Sequence, residues 1–212
     1  MLKSLITFPT ENSVLYGKPQ NQVSERLVTY YELYKLIKHL NGSIVKCGIS
    51  SDEAFGYFSF FKQISNNSQQ SMVAFEKSPS IFESVEKNNE VTLAVKSPVV
   101  GFSDAQKNLV QKGKSEKILF VPGHLSDSIP QFLIENPELK IALLTIDLND
   151  FETTLTAMQY LYPRLISGGI LIINNYYKKM AENLAIKEYF NNQEVFVRNF
   201  SLQKGPHYIV KD

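Results

Sequence analysis

Two short runs with almost no polar residue, Lys140–Ile146 and Ile170–Ile173, flank a helix-patterned segment, Phe151–Leu165, which Gly168-Gly169 follows. A strand without a polar face is buried on both sides, as in a parallel sheet covered by helices. Two such strands joined by a helix run parallel, with a right-handed crossover. That unit fixes the class of fold, and the rest of the chain extends it.

Upstream, Ser24–Leu40 has helical spacing through Leu27, Tyr30, Tyr31, Tyr34, Ile37 and Leu40, with Ser24 as cap and Asn41-Gly42 as stop. The tyrosines at this spacing read as core. Ser43–Cys47 is a strand, Asp52–Ile64 a helix and Gln70–Phe75 a strand ending in Glu76. Ser80–Lys87 is expected as a short helix. Val91–Val100, which contains Pro98, is expected as an inserted segment or an edge strand. Asp104–Gln111 reads as helix, Lys117–Val121 as strand and Ser126–Glu135 as helix. After the central unit come a helix, Lys179–Phe190, and two strands, Glu194–Phe200 and His207–Lys211, about a turn at Gly205-Pro206. The expectation is an α/β fold with a doubly wound, mostly parallel sheet and a C-terminal antiparallel hairpin. Residues 1–23 form an arm or lid, 24–212 a single domain, and 78–103 an insertion.

A chain of 212 residues with 43% hydrophobic and 20% charged residues can bury a core without staples. The formal charge of +1 gives no reason to expect nucleic acid or an anionic membrane as partner. Cys47, the one cysteine, has no partner for a disulfide, and nothing suggests a zinc site. The N-terminus lacks a signal-peptide pattern, and no apolar run reaches the length of a membrane span. The expectation is a cytoplasmic protein, either monomeric or a homo-oligomer.

In doubly wound sheets ligands bind beyond the carboxyl ends of the strands. The residues to weigh there are Cys47, Gly48, Glu76, Gly123, His124, Asp147, Asn174 and Asn175. Gly48, before Ile49 and Ser50, either lets a nucleotide approach the backbone or simply makes a turn. Glu76 either accepts from ribose hydroxyls or is a solvated strand end. His124, after Gly123, is a base, a substrate ligand, a helix cap or a surface residue. Asp147-Leu148-Asn149-Asp150 and Asn174-Asn175-Tyr176-Tyr177 follow neighbouring strands, so their polar groups converge, unless they only make turns.

The segment Ile141–Tyr176, IALLTIDLNDFETTLTAMQYLYPRLISGGILIINNY, resembles the macrocin O-methyltransferase family, whose run is close to IALLxxDxDxYESTxxALxxLYPRLxxGGxxxxDDY. FVPGHLSDSIPQFLIENPELK and AENLAIKEYF are similar to the flanking segments of that family. The LYPRL-xx-GG core is the specific part of the likeness. The resemblance implies a Rossmann-like sheet of the methyltransferase type that binds S-adenosylmethionine (SAM) and methylates hydroxyls of sugars. It implies that Gly48, Ile49 and Ser50 lie against the cofactor and that Glu76 takes its ribose. Gly123 and His124 would then lie near the adenine edge.

Asp147 matches a carboxylate that binds a divalent metal in that family. The chain departs from the pattern elsewhere. Lys46 stands where the family has Glu, and Asp52-Glu53 where it has Gly-Gly. Asn149, Asn174 and Asn175 replace three carboxylates. Amides supply no charge to magnesium and take no proton as a base. The expectation is therefore a metal-independent O-methyltransferase acting on a small-molecule or glycan acceptor. His124, Asp147 and Asp150 are its catalytic candidates, and Asn149, Asn174, Asn175 and Tyr176 its substrate-binding candidates. The alternative is a catalytically silent relative that serves binding or assembly.

Overall fold

The alternation read from the sequence is realised in a computed structural model that describes residues 22–48, 54–76, 82–87, 90–95, 118–173, 180–191, 193, 195–199 and 206–212. The first elements are α1 (Gln22–Ile37), β1 (Ser43–Cys47), α2 (Ala54–Ile64) and β2 (Met72–Glu76). Then come β3 (Phe82–Lys87), β4 (Glu90–Val95), β5 (Ile118–Pro122) and α3 (Leu125–Glu135). The remainder is β6 (Ile141–Ile146), α4 (Phe151–Leu161), a 3-10 turn (Tyr162–Arg164), β7 (Leu165–Ile173), α5 (Met180–Phe190), β8 (Arg198–Asn199) and β9 (His207–Val210).

Seven strands form one sheet in the order β5-β2-β1-β6-β7-β9-β8. Neighbours from β5 to β7 are parallel, and β9 is antiparallel to both β7 and β8. The expected doubly wound sheet with an antiparallel C-terminal hairpin is therefore present. Every residue of β1 and β6 is buried, because both faces of these strands are covered. Val45, Cys47, Phe75, Ile146 and Ile173 face α3, α4 and α5. Ile44, Met72, Ala74, Leu143 and Ile172 face α1 and α2.

The α1–α2 layer is aromatic. Tyr30 stacks on Tyr57 at 5.8 Å between centroids and meets Phe58 edge-on at 5.6 Å. Tyr30 and Tyr34 are core, as expected, whereas Tyr31 is 41% exposed. Buried Gln70 donates from Nε2 to the carbonyls of Ile37 (2.8 Å) and Leu40 (3.0 Å), which satisfies groups that the end of α1 leaves open.

Several expectations are corrected. The Ser80–Lys87 segment is strand, not helix, over its described part. Phe82 and Val85 have helical spacing, but the stretch pairs antiparallel with β-branched β4 in a separate two-stranded sheet. Helix α1 begins at Gln22, two residues before Ser24, since a cap chosen by residue type locates a helix end only approximately. Helix α4 stops at Leu161, and Tyr162–Arg164 tightens to a 3-10 turn around Pro163. Strand β7 already starts at Leu165 and contains Gly168 and Gly169. Their register is irregular: Leu165 pairs with Ile141, but Ile170 pairs with Leu143. Gly168 has φ +76°, and a Cβ on Gly169 would stand 2.8 Å from the Ile166 carbonyl oxygen, so neither place suits a side chain. Of the strand expected over Glu194–Phe200, whose two end residues lie outside the described residues, the described part is strand at Arg198–Asn199. Exposed Phe196 and Val197 have no partner strand among the described residues to reward extended pairing. The expected helix Asp104–Gln111 and residues 1–21 lie outside the described residues. Among the described residues, no helix is long and apolar enough to cross a membrane.

Candidate functional site

Chain connectivity creates a crevice between β1 and β6. From β1 the chain winds outward to β2 and later β5, whereas β6 and β7 lie on the other side. The carboxyl ends of strands at such a switch point are where ligands bind in open α/β sheets. Four of the sequence candidates are brought there in one row. Gly123 donates its N–H to the Glu76 carbonyl (3.3 Å), Gly48 to the Phe75 carbonyl (3.0 Å) and Asp147 to the Cys47 carbonyl (2.9 Å). The backbone thus aligns Gly123, Glu76, Gly48 and Asp147 across β5, β2, β1 and β6.

Gly48 is needed for two reasons at once. Its φ is +80°, and a Cβ would lie 2.3 Å from the Asp147 carbonyl oxygen. Only glycine permits this approach of β1 to β6. Glu76 is half-buried at the end of β2, where a carboxylate can accept two hydroxyl protons side by side. Asp147 is 8% exposed and follows the most buried strand.

The next residue, Leu148, donates its N–H to Glu182 Oε2 at 2.8 Å. Glu182 is in the first turn of α5 and fully buried. It ties the turn after β6 to α5, and so fixes the backbone that carries Asp147. The sequence reading missed it. The available signal was an acid on the stripe Glu182, Ala185, Ile186 and Phe190, whose other members are buried.

The structure separates the three catalytic candidates. Asp150 is the N-cap of α4, and its carboxylate accepts from the Thr153 N–H at 2.8 Å. His124 is exposed and stands at the N-cap of α3, where its carbonyl, not its ring, accepts from the N–H groups of Asp127 (3.0 Å) and Ser128 (2.9 Å). It follows β5, three strands from β6, so at ~4.8 Å per strand it is about 14 Å across the sheet from Asp147. Asn149 is exposed beside Asp150. Ile49, Ser50, Asn174, Asn175 and Tyr176 lie outside the described residues.

Cys47 is fully buried, and burial pushes its thiol far above the usual range; Lys46 partly counteracts this and Glu76 adds to it. An unactivated thiol has no nucleophilic role, and Cys47 serves packing, as expected. Lys46 is itself buried in the middle of the sheet. Among the described residues, no three His, Cys, Asp or Glu side chains are grouped to hold a metal ion.

The family model described as Macrocin-O-methyltransferase (TylF) matches residues 74–200. No curated protein matches significantly. Among solved structures, the apo form of CalS11, a TDP-rhamnose 3'-O-methyltransferase of calicheamicin biosynthesis, superposes with TM-score 0.68 at 18% identity. That match covers 97% of this chain and 88% of CalS11. The O-methyltransferase NovP superposes with TM-score 0.61 at 18% identity, covering 88% of this chain and 79% of NovP. At these identities the structural likeness concerns the fold, while the family match spans more than half of the sequence and includes β5, β6, β7 and the site at their ends. The chain belongs to the macrocin O-methyltransferase family of SAM-dependent O-methyltransferases.

Proposed function

We propose that the protein transfers the methyl group of SAM to a hydroxyl of a sugar or glycan without a metal ion. The observation that carries this is the row Gly123–Glu76–Gly48–Asp147 at the switch point. The site fits the cofactor: an acceptor carboxylate stands at the end of β2, and the β1 turn is held open by a glycine with positive φ. Bound SAM would supply an electrophilic methyl group on a sulfonium. Gly48, Ile49 and Ser50 would line it, Glu76 would hold its ribose, and Gly123 and His124 would bound its adenine end.

Asp147, across the crevice, is the carboxylate left for the acceptor. It would orient the hydroxyl and take up its proton as the oxygen acquires the methyl group. The cap bond of Asp150 and the lateral distance of His124 both favour Asp147 over them in this role. Asn149, Asn174, Asn175 and Tyr176 would hydrogen-bond other hydroxyls of the acceptor. Asn174 and Asn175, in place of the carboxylates of the family pattern, favour sugar contacts over magnesium, because an amide brings no negative charge.

Calorimetric titration with SAM and with its demethylated product tests the cofactor assignment. Micromolar binding is expected, weakened by about 1–3 kcal/mol in Glu76→Ala through lost charged hydrogen bonds. Chelator should leave turnover on a sugar acceptor unchanged. No binding at millimolar ligand would refute the enzyme. The second reading, a relative that binds without turnover, is favoured by the replacement of three carboxylates by Asn149, Asn174 and Asn175. It predicts cofactor-independent function and no methyl transfer to any sugar nucleotide or glycan.

A further inference from the structure

Helices α3 and α4 follow parallel strands, so they run back from the carboxyl edge of the sheet and end at its amino edge, packed side by side. Between their C-terminal halves and the 3-10 turn lies a groove of about 470 Å³. Its apolar walls are Pro130, Leu133 and Ile134 from α3, Tyr160 from α4 and Pro163 from the turn, and its polar members are Gln159 and Arg164. Leu133 is buried, but Ile134 is 74% and Tyr160 44% exposed. Large apolar side chains held in water beside an apolar groove form one patch, and such a patch marks a contact surface. The ligand crevice lies at the other edge of the sheet, so methyl transfer does not account for this face.

The border of the patch is polar and carries both signs of charge. Arg164 donates from Nη1 to the Pro137 carbonyl, which leaves the other donors of its planar fork. Glu135 accepts from Gln131 Nε2 at 2.8 Å, whereas Glu138, next to Pro137, is exposed. Neither Arg164 nor Glu138 joins an ion pair among the described residues. An apolar centre inside a polar border is the anatomy of a protein interface. A projecting side chain, a groove, a cation and a carboxylate share one face. A two-fold axis needs that combination, because each surface then meets its own reverse.

We propose that α3 and α4 form a two-fold interface with a second copy of this chain. Ile134 of each copy seats in the groove of the other, and Arg164 of each pairs with Glu138 of the other. Both crevices stay open at the far edge of the sheet. Two helices of 11 residues each offer a face about 16 Å long and 20 Å wide. That is small beside tight complexes, which bury ~800 Å² per partner, so the dimer should be of micromolar affinity.

Sedimentation velocity of the full chain over a concentration series tests the interface. At about 100 μM wild type should approach twice the 24.1 kDa of one chain. Ile134→Asp, at an exposed position, should keep the fold, stay monomeric and titrate with SAM as wild type does. Glu138→Arg alone and Arg164→Glu alone set like charges against each other across the axis, and each should weaken the dimer by about tenfold or more. Their equimolar mixture restores both opposite-charge pairs and should associate within about threefold of wild type. A wild type that is monomeric at that concentration overturns the proposal. So does a dimer that survives Ile134→Asp, or a mixture no tighter than its components. A monomeric wild type that binds the dye anilinonaphthalene sulfonate, when Ile134→Asp does not, gives the groove to an apolar ligand with an anionic head and overturns the dimer. Failure to bind SAM counts against the cofactor assignment alone and leaves this test intact.

Discussion

Replacing Glu182 should expose how much of the site rests on one buried carboxylate. Glu182 is fully buried, and Oε2 accepts the Leu148 N–H at 2.8 Å. A hydrogen bond to a charged acceptor contributes about 1.5–3 kcal/mol. Leu148 is itself 9% exposed, so its N–H would be left in a nearly dry place. That costs about 1–3 kcal/mol, part of which is the same loss counted from the other side. The void left by the missing side-chain atoms adds about 1 kcal/mol. Glu182→Ala should therefore destabilise the chain by about 3–4 kcal/mol.

Glu182→Gln keeps an acceptor oxygen at nearly the same place and should lose only about 1 kcal/mol, the charge-assisted part of the bond. Urea unfolding at neutral pH reads both values from the shift in midpoint at constant slope. A loss below about 1 kcal/mol for Glu182→Ala would refute the assignment of this bond as the tie between β6 and α5. Equal losses for the two variants would show that the charge, and not the acceptor, matters.

Gly48→Ala should destabilise by about 3 kcal/mol or more, through its positive φ and the contact with the Asp147 carbonyl oxygen, read as a lowered melting temperature. Asp150→Ala should remove about 1 kcal/mol of stability as a lost N-cap, while cofactor binding stays unchanged; a large loss of binding would return Asp150 to the site. Burial lowers the pKa of His207 below its ordinary 6.5. The unfolded chain then takes up this proton more readily than the folded one, so stability is fully present above the ordinary value and lost as pH falls through the folded one. His207→Gln should flatten that part of the profile of urea midpoint against pH, and an unchanged profile would count against the assignment.

The sheet was legible because burial on both faces leaves apolar runs such as Ile141–Ile146, and because helices between strands permit few topologies. The strand β3 was not, since Phe82 and Val85 three residues apart satisfy a helical pattern, and only pairing with β4 decides otherwise. Glycine and carboxylate candidates at strand ends followed from topology alone, which is why Gly48, Glu76, Gly123 and Asp147 fall in one row. Asp150, a catalytic candidate from its strand-end loop, also stands immediately before the apolar periodicity of α4, the place of an N-cap. Lys46 and Glu182 escaped as structural centres because burial of a charge is a property of the tertiary neighbourhood. A lysine or glutamate inside an element ordinarily faces solvent.

The irregular start of β7 has a practical side. Gly168 donates its N–H to the Lys211 carbonyl (2.7 Å), and Lys211 donates its own to Gly169 (2.9 Å). The Lys211 ammonium also reaches the carbonyls of Tyr162 and Pro163, at 3.2 Å each. Because β9 is antiparallel to β7, this clasp lies at the amino edge of the sheet, about 13 Å or more from the carboxyl edge. Asp212 is exposed just beyond it. A biotin or surface linker attached at Asp212 would therefore orient every molecule with its ligand crevice towards solution, anchored through a point the sheet itself holds rigid.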